Sequence, residues 1–250
     1  MPKPIPVHLM TYERSEYFSK TVAHLTDNSI PLDIIVYDDN SQDKKKLEIM
    51  RYWEGHQRIK VIRQTQNLKP FKLLLKIWED AFADPDAEYC IHIQDDVVVH
   101  PQWLEKLLDA KNDVEAVGKG NNKTKYHCQG LGRQTGIIAP CDRVEHEKVE
   151  RSWMMRNNLK NWSEVLMGCC WLTTRAFYDR VIAKEIPIPP SGLGEDSYFI
   201  RRCAQLKMNM VATSRSWVKH VGVESIVNKG RTYIGPEYDT MFCKNLAEGL

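Results

Sequence analysis

The chain has 250 residues, 42% hydrophobic and 27% charged, the composition of a globular protein with room for one large domain or two small ones. A net charge of +2 and a pI near 8.1 exclude a surface that is basic throughout, so any nucleic-acid contact must come from local clusters. No apolar run approaches the roughly 20 residues that span a bilayer, and residues 1–6 lack the apolar core of a signal peptide, so a cytoplasmic location is expected. The seven cysteines contain no CxxC pair, and Cys169-Cys170 sit inside an apolar run, which fits buried, reduced thiols.

Residues 6–12 alternate as a strand, and a helix is expected over 13–25, with Tyr17, Phe18, Val22 and Leu25 at helical spacing. Residues 32–37 form a second apolar strand that ends in Asp38-Asp39-Asn40-Ser41. A helix through Leu47, Met50 and Tyr52 leads to a short strand over 59–62. Pro70 opens a helix carrying Phe71, Leu74, Leu75, Trp78 and Phe82, and Asp84-Pro85 closes it. The next strand, Tyr89-Cys90-Ile91-His92-Ile93, runs through Gln94 into Asp95-Asp96 and a second apolar run, Val97-Val98-Val99. Pro101 then opens a helix to about Lys111.

This β-α-β-α-β-α-β-α order predicts an α/β fold with a mainly parallel central sheet and helices on both faces. Such sheets bind ligands beyond the carboxyl ends of their strands. Three strands end there in polar groups: Thr11-Tyr12-Glu13-Arg14, Asp38-Asp39-Asn40-Ser41 and Asp95-Asp96. Two adjacent carboxylates at a buried strand end are costly unless a cation meets them.

Beyond Lys111 the pattern loosens. Residues 119–141 contain several basic residues and no acidic one. Residues 166–172 are apolar, and 186–194 form a proline- and glycine-rich loop that delivers Glu195-Asp196 to a helix start. Residues 208–211 and 216–220 read as closing strands. With no linker or repeat, a single domain over 1–250 is expected.

Singly, these motifs have plain structural readings. Asp38 to Ser41 can be a turn with a helix N-cap, and Asp95-Asp96 a strand-end turn. Glu195-Asp196 can be first-turn acids and His220 a structural histidine. In combination and in order, they resemble the GT-A nucleotide-sugar glycosyltransferases, closest in style to the family-two group of inverting enzymes. The resemblance runs from about Pro6 to Gly222. Residues 7–14 resemble the opening strand and turn that receive the nucleoside, residues 35–41 the acidic turn that reads the uracil, and Gln94-Asp95-Asp96 a shifted DxD motif with Gln94 in place of its first acid. Gly194-Glu195-Asp196 resembles the late acidic pair bearing the catalytic base, and residues 219–222 the segment supplying a histidine ligand.

The resemblance implies a single GT-A (Rossmann-like) domain, with a nucleotide-binding half over 1–115 and an acceptor half with a C-terminal lid over 116–250. It implies a sugar transfer from a nucleotide donor, expected to be a UDP-sugar, dependent on Mn²⁺ or Mg²⁺. Asp96 and His220 would hold the metal. Asp95, taken to point away from Asp96 on an extended segment, would meet a ribose hydroxyl. Asp38 or Asp39 would accept the uracil imide hydrogen, Tyr12 would stack on the ring, and Thr11 and Arg14 would complete the donor site. Lys229 and Arg231, in the glycine-flanked segment 222–235, would contact the diphosphate. Asp196, beside Glu195, would serve as general base.

For the acceptor, the basic stretches 119–133 and 201–231 resemble the bacteriophage enzymes that glycosylate hydroxymethylated cytosine in DNA, with Trp153 or Trp162 near the displaced base. Glycan, protein or capsid acceptors are the alternatives. A sugar-nucleotide pyrophosphorylase would need a glycine- and lysine-rich loop that is absent after the first strand. A non-catalytic nucleic-acid-binding protein would leave the acidic strand ends unexplained.

Overall fold

The computed structural model describes residues 4–117, 126–129, 135–139, 169–181, 198–199, 202–203, 205–213 and 217–221. Strand and helix alternate through its first part: β1 (Ile5–Thr11), α1 (Ser15–Thr26), β2 (Leu32–Asp38), α2 (Lys44–Glu54), β3 (Ile59–Arg63), α3 (Lys69–Phe82), β4 (Tyr89–Gln94), β5 (Val97–Val99) and α4 (Trp103–Val117). There follow β6 (Tyr126–Gln129), β7 (Thr135–Ala139), β8 (Cys170–Thr174), α5 (Arg175–Val181), β9 (Asn209–Thr213) and β10 (Val218–His220).

Eight strands form one sheet in the order β3-β2-β1-β4-β8-β7-β9-β6. Strands β3, β2, β1 and β4 run parallel. β8 is antiparallel to both β4 and β7, β9 is parallel to β7, and β6 is antiparallel to β9 at the edge. The fold class is therefore the expected α/β one, with the antiparallel pairings gathered in the later half of the chain.

Chirality sets where the helices lie. The chain steps outward from β1 to β2 to β3, then reverses to place β4 on the other side of β1. Right-handed crossovers then put α1 and α2 on one face and α3 on the other. In agreement, α1 packs against α2, and α3 against α5. The reversal makes the gap between β1 and β4 the topological switch point, where a doubly wound sheet opens a crevice.

Two features depart from the sequence expectation. The Val97–Val99 run belongs to a separate strand, β5, antiparallel to β10 in a two-stranded sheet, because the chain turns at Asp95-Asp96. Within the basic stretch after residue 118, β6 and β7 appear as strands. Neither has a long enough alternation to announce itself, and both exist through pairing with β9 and β8, distant in sequence.

The core holds Trp78, Trp103 and Trp171, all fully buried. The Trp78 ring meets Phe199 edge-on at 4.6 Å, and Phe71 stacks on Phe199 at 5.2 Å. Residues 198–199 are thereby docked on α3. Gly136 lets β7 pass close to its neighbours, since a Cβ there would lie 2.7 Å from Cys203 Sγ. Cys90, Cys169, Cys170 and Cys203 are all buried, as expected. No helix among the described residues is long and apolar enough to cross a membrane.

His8 on β1 is buried between Ile35 and His92 on the flanking strands, with its ring 5.8 Å from Tyr37. Its Nδ1 has no hydrogen-bond partner among the described residues. Burial outweighs the attraction of Asp80 and lowers the His8 pKa from 6.5 to about 4. As pH falls, the unfolded chain takes this proton first, so the stability His8 contributes is complete above pH 6.5 and is lost through pH 4. The loss amounts to about 3 kcal/mol. Urea unfolding followed from pH 7 to pH 4 is expected to show it, and His8→Leu is expected to flatten that part of the slope. An unchanged slope in the variant would assign acid sensitivity to other groups.

Candidate active site

Strand register brings the polar strand ends together before any side chain is considered. Thr11 pairs with Asp38, Asp38 with Arg63, and Met10 with Gln94, so Asp95 follows directly beside Thr11. Asp95 and Asp96 are almost wholly buried. Arg14 bridges them: Nη1 donates to Asp96 Oδ2 at 2.5 Å, and Nη2 donates to Asp95 Oδ1. The Thr11 hydroxyl donates to Asp95 Oδ2 at 2.5 Å, and the Thr21 hydroxyl to the Asp95 carbonyl at 2.7 Å.

A second cation reaches the pair from below. Lys46, fully buried on α2, donates to the Thr11 hydroxyl and, at 2.7 Å, to the Glu13 carbonyl. Its Nζ lies 3.6 Å from Asp95 Oδ2 and 4.1 Å from the centre of the Phe18 ring. Burial lowers the Lys46 pKa to about 8, against the opposing pull of Asp95 and Asp38. Burial likewise disfavours the Arg14 cation, but Asp95 and Asp96 outweigh it and raise its pKa. Burial pushes the Asp95 carboxyl up, while Arg14 and Lys46 pull it down. The four charges form one interdependent cluster.

The turn that presents Arg14 is bent into the left-handed region, with φ of 53° at Glu13 and 47° at Arg14. Each such residue costs about 1 kcal/mol. Hydrogen bonds to the neighbouring loop offset that cost. Glu13 N donates to Ser41 Oγ at 2.8 Å, and the Glu13 carboxylate accepts from the amides of Gln42 at 2.8 Å and Asp43 at 2.9 Å. Asp43 then caps α2 by accepting from Lys45 N.

The acidic turn after β2 is committed to its own surroundings. Asp38 accepts from Ser41 N at 3.0 Å, from Ser41 Oγ at 2.5 Å and from Arg63 Nε at 3.2 Å. Asp39 accepts from Leu68 N at 2.6 Å and Lys69 N at 3.0 Å, holding the N-terminus of α3. Burial raises the Asp39 pKa in spite of these two bonds. The plain structural reading of this motif is thus realised as a turn closed by Asp38, while Asp39 accepts from the first amides of α3.

Of the residues singled out from sequence, the structure gathers Thr11, Arg14, Asp38, Asp39, Asp95 and Asp96 at one sheet edge, with Tyr12 half-buried beside them. Asp95 departs from its expected orientation. It lies in a turn rather than on an extended strand, so alternation does not apply, and Arg14 ties it to the same side as Asp96. Its oxygens are engaged by Thr11 and Arg14. The backbone of His220 pairs with Val97, the residue after Asp96, and Val221 N donates to the Asp96 carbonyl at 2.7 Å. Glu195, Asp196, Lys229 and Arg231 lie outside the described residues, as do Trp153 and Trp162. Sequence reasoning passes over Lys46 and Arg63, and gives Glu13 no role of its own within the Thr11–Arg14 strand end. Lys46 carried one signal: it stands four residues before Met50, and these two are the buried residues of α2.

Replacing Asp95 with Asn is expected to cost about 3–5 kcal/mol, because it leaves two buried cations short of their counter-charge. Adding Lys46→Met to that variant is expected to recover about 1 kcal/mol or more by relieving the surplus charge. Strictly additive losses in a double-mutant cycle of denaturant unfolding would contradict the coupling.

Comparison with protein-family models matches residues 7–181 to glycosyl transferase family 2. Among solved structures, the mannosyltransferase PcManGT from Pyrobaculum calidifontis, in complex with GDP-Man and Mn²⁺, superposes with a TM-score of 0.55 at 13% identity, over 98% of this chain and 63% of its own. Residues 1–349 of TarS from S. aureus give a TM-score of 0.54 at 16% identity, over 86% of this chain and 60% of theirs. A longer TarS structure gives 0.57 at 15% identity, over 88% and 37%. This chain therefore spans less than two thirds of the length of these structural relatives, and at such identities what they share with it is the fold. No curated protein matches the sequence. The family match runs from β1 to the end of α5 and takes in the whole Arg14–Lys46–Asp95–Asp96 cluster. Strand order, switch point and family model agree: the chain belongs to glycosyl transferase family 2 and has a GT-A-type fold.

Proposed function

We propose that the chain transfers a sugar from a nucleotide donor to an acceptor hydroxyl, with a divalent cation at Asp96 and inversion at the anomeric carbon. The observation that carries this reading is the Asp95-Asp96 corner, held by cations at the switch point of a family-two fold. Arg14 at Asp96 marks a position where positive charge is accommodated. Asp96 offers a hard carboxylate oxygen, and His220, whose backbone pairs with Val97, the residue after Asp96, would add an imidazole. Asp96 and His220 would hold Mn²⁺ or Mg²⁺, whose hard charge suits an oxygen-rich partner such as a diphosphate. Such an ion, when bound, offsets the charge of the departing diphosphate.

The chain's own residues divide the remaining work. Asp39 keeps lone pairs for a nucleobase N–H beyond its two amide bonds. Uracil and guanine both present an N–H beside a carbonyl. UDP-sugars are the first donors to test, and GDP-sugars the second, since the Pyrobaculum calidifontis relative is in complex with GDP-Man. Tyr12 is assigned to stacking on the base, and Arg14, Lys229 and Arg231 to the diphosphate. Asp95 is reassigned from the ribose to the positioning of Arg14 and Thr11.

Asp196, beside Glu195, is assigned as general base. Support comes from its close neighbours in sequence: Tyr198 and Phe199 pack on Phe71, in the first turn of α3, whose N-terminus Asp39 holds. In the displacement, the acceptor oxygen bonds to the anomeric carbon and the bond from that carbon to the diphosphate breaks. The hydroxyl proton passes to Asp196, and the nucleoside diphosphate departs with the bonding electrons. For the acceptor, the acid-free basic stretch 119–141 and the basic residues of 201–231 favour a polyanion. Hydroxymethylated cytosine in DNA is the first acceptor to test, with glycan and protein acceptors, capsid protein included, alongside it.

A mass-spectrometric screen of UDP- and GDP-sugars against these acceptors tests the reading directly. Asp196→Asn is expected to lower transfer by about 10²–10⁴-fold with nucleotide affinity kept. Asp96→Ala is expected to lose the Mn²⁺-dependent part of nucleotide binding. Full transfer by the Asp196 variant would sink the base assignment, and metal-independent binding in the native chain would sink the role of Asp96.

A further inference from the structure

The Arg14 guanidinium occupies the carboxylate to which the proposed function assigns a metal, and the geometry around it suggests that this is a working arrangement. Its two terminal nitrogens are divided, one to each carboxylate. Asp95 also has the Thr11 hydroxyl and the buried Lys46 cation, so it stays neutralised from the core side if Arg14 departs. Asp96 is the carboxylate on the β10 side, next in sequence to the residue paired with His220.

Arg14 is also the cluster member nearest to solvent. Its side chain is 20% exposed, against 5% or less for Asp95, Asp96 and Lys46. It stands at the N-cap of α1 but makes no side-chain capping bond, so helix formation does not hold it in place. The Tyr17 ring, 5.8 Å from the guanidinium carbon, offers it another contact. Its Nε is buried without a hydrogen-bond partner among the described residues. A buried N–H donor in that condition is an unused site for an oxyanion.

We infer that Arg14 is a resident counter-ion that holds Asp96 until a divalent cation and a nucleotide diphosphate arrive together. This rests on the function proposed above and adds to it a coupling between the two ligands. A divalent cation entering alone meets the repulsion of Arg14, which is bound to both carboxylates, and of Lys46, 3.6 Å from Asp95. The diphosphate brings the missing negative charge, and the Arg14 fork can turn to it and leave Asp96 to the metal. The affinity of each ligand is then raised by the other, and by the same factor. If Arg14 served only as a structural ion pair, removing it would weaken metal binding by loosening the site. As a competitor of the metal, its removal strengthens that binding. The two roles predict opposite signs.

The test is Mn²⁺ binding, read by electron paramagnetic resonance of the free ion, for the full chain and for Arg14→Met and Arg14→Lys, first alone and then with UDP or GDP. Circular dichroism checks that each variant is folded, and Arg14→Lys, which keeps a charge but cannot bridge both carboxylates, serves if Arg14→Met does not fold. The native chain is expected to bind Mn²⁺ about tenfold or more tightly with nucleotide than without. Arg14→Met is expected to bind nucleotide-free Mn²⁺ about tenfold more tightly than the native chain and to gain little from nucleotide, with Arg14→Lys between them. Variants that bind nucleotide-free Mn²⁺ no more tightly than the native chain overturn the inference, as does native Mn²⁺ binding that ignores nucleotide. If no form of the chain binds Mn²⁺ with either nucleotide, the metal-dependent function falls, and the inference with it.

Discussion

Burying two adjacent carboxylates at the end of β4 is the constraint around which the first half of this fold is arranged. A carboxylate taken out of water without compensation is several kcal/mol out of balance. Here Arg14 comes from the turn before α1, Lys46 from the first turns of α2 and Thr11 from the end of β1. Three separate elements are needed to make Asp95-Asp96 tolerable, so the cluster also fixes their positions. Arg14 can reach only because Glu13 and Arg14 adopt left-handed conformations, and Glu13 can do so because its amide and carboxylate are taken up by the loop that starts α2. The charge pair and the loop geometry depend on each other.

A second layer of acids holds the frame. Asp38 closes the turn to Ser41 and pairs with Arg63, while Asp39 fastens the start of α3. These bonds tie the ends of β2 and β3 and the start of α3 together, a supporting layer around the strand ends from which Arg14 reaches the two carboxylates. The docking of Tyr198 and Phe199 on Phe71 brings the later half of the chain to the same end of α3.

The first half of the fold was readable from periodicity because its strands are locally apolar and its helices amphipathic, as in β1, α3 and β4. What escaped the sequence was non-local. β6 and β7 lie in a glycine- and lysine-bearing stretch whose strand character comes from β8 and β9, and β5 separated from β4 because of the Asp95-Asp96 turn. The candidate site was legible as residue types at strand ends, but not as contacts. Asp95 looked like a ligand group on an alternating strand and proved to be bound by Thr11 and Arg14. Lys46 stands in the run Lys44-Lys45-Lys46, a composition usual for a solvated face. Its burial follows from its helical position relative to Met50, a spacing visible in sequence only once the helix start is known.

The proposed transfer depends above all on metal and diphosphate meeting at the Asp95-Asp96 corner. Anomalous scattering from Mn²⁺ in crystals of this chain grown with UDP or GDP tests it most directly. One Mn²⁺ peak about 2.2 Å from an Asp96 oxygen, the diphosphate at the ends of β1 and β4, and Arg14 turned from Asp96 to a phosphate are expected. Nucleotide bound away from those strand ends, or Mn²⁺ absent from Asp96 while Arg14 still bridges both carboxylates, would contradict it.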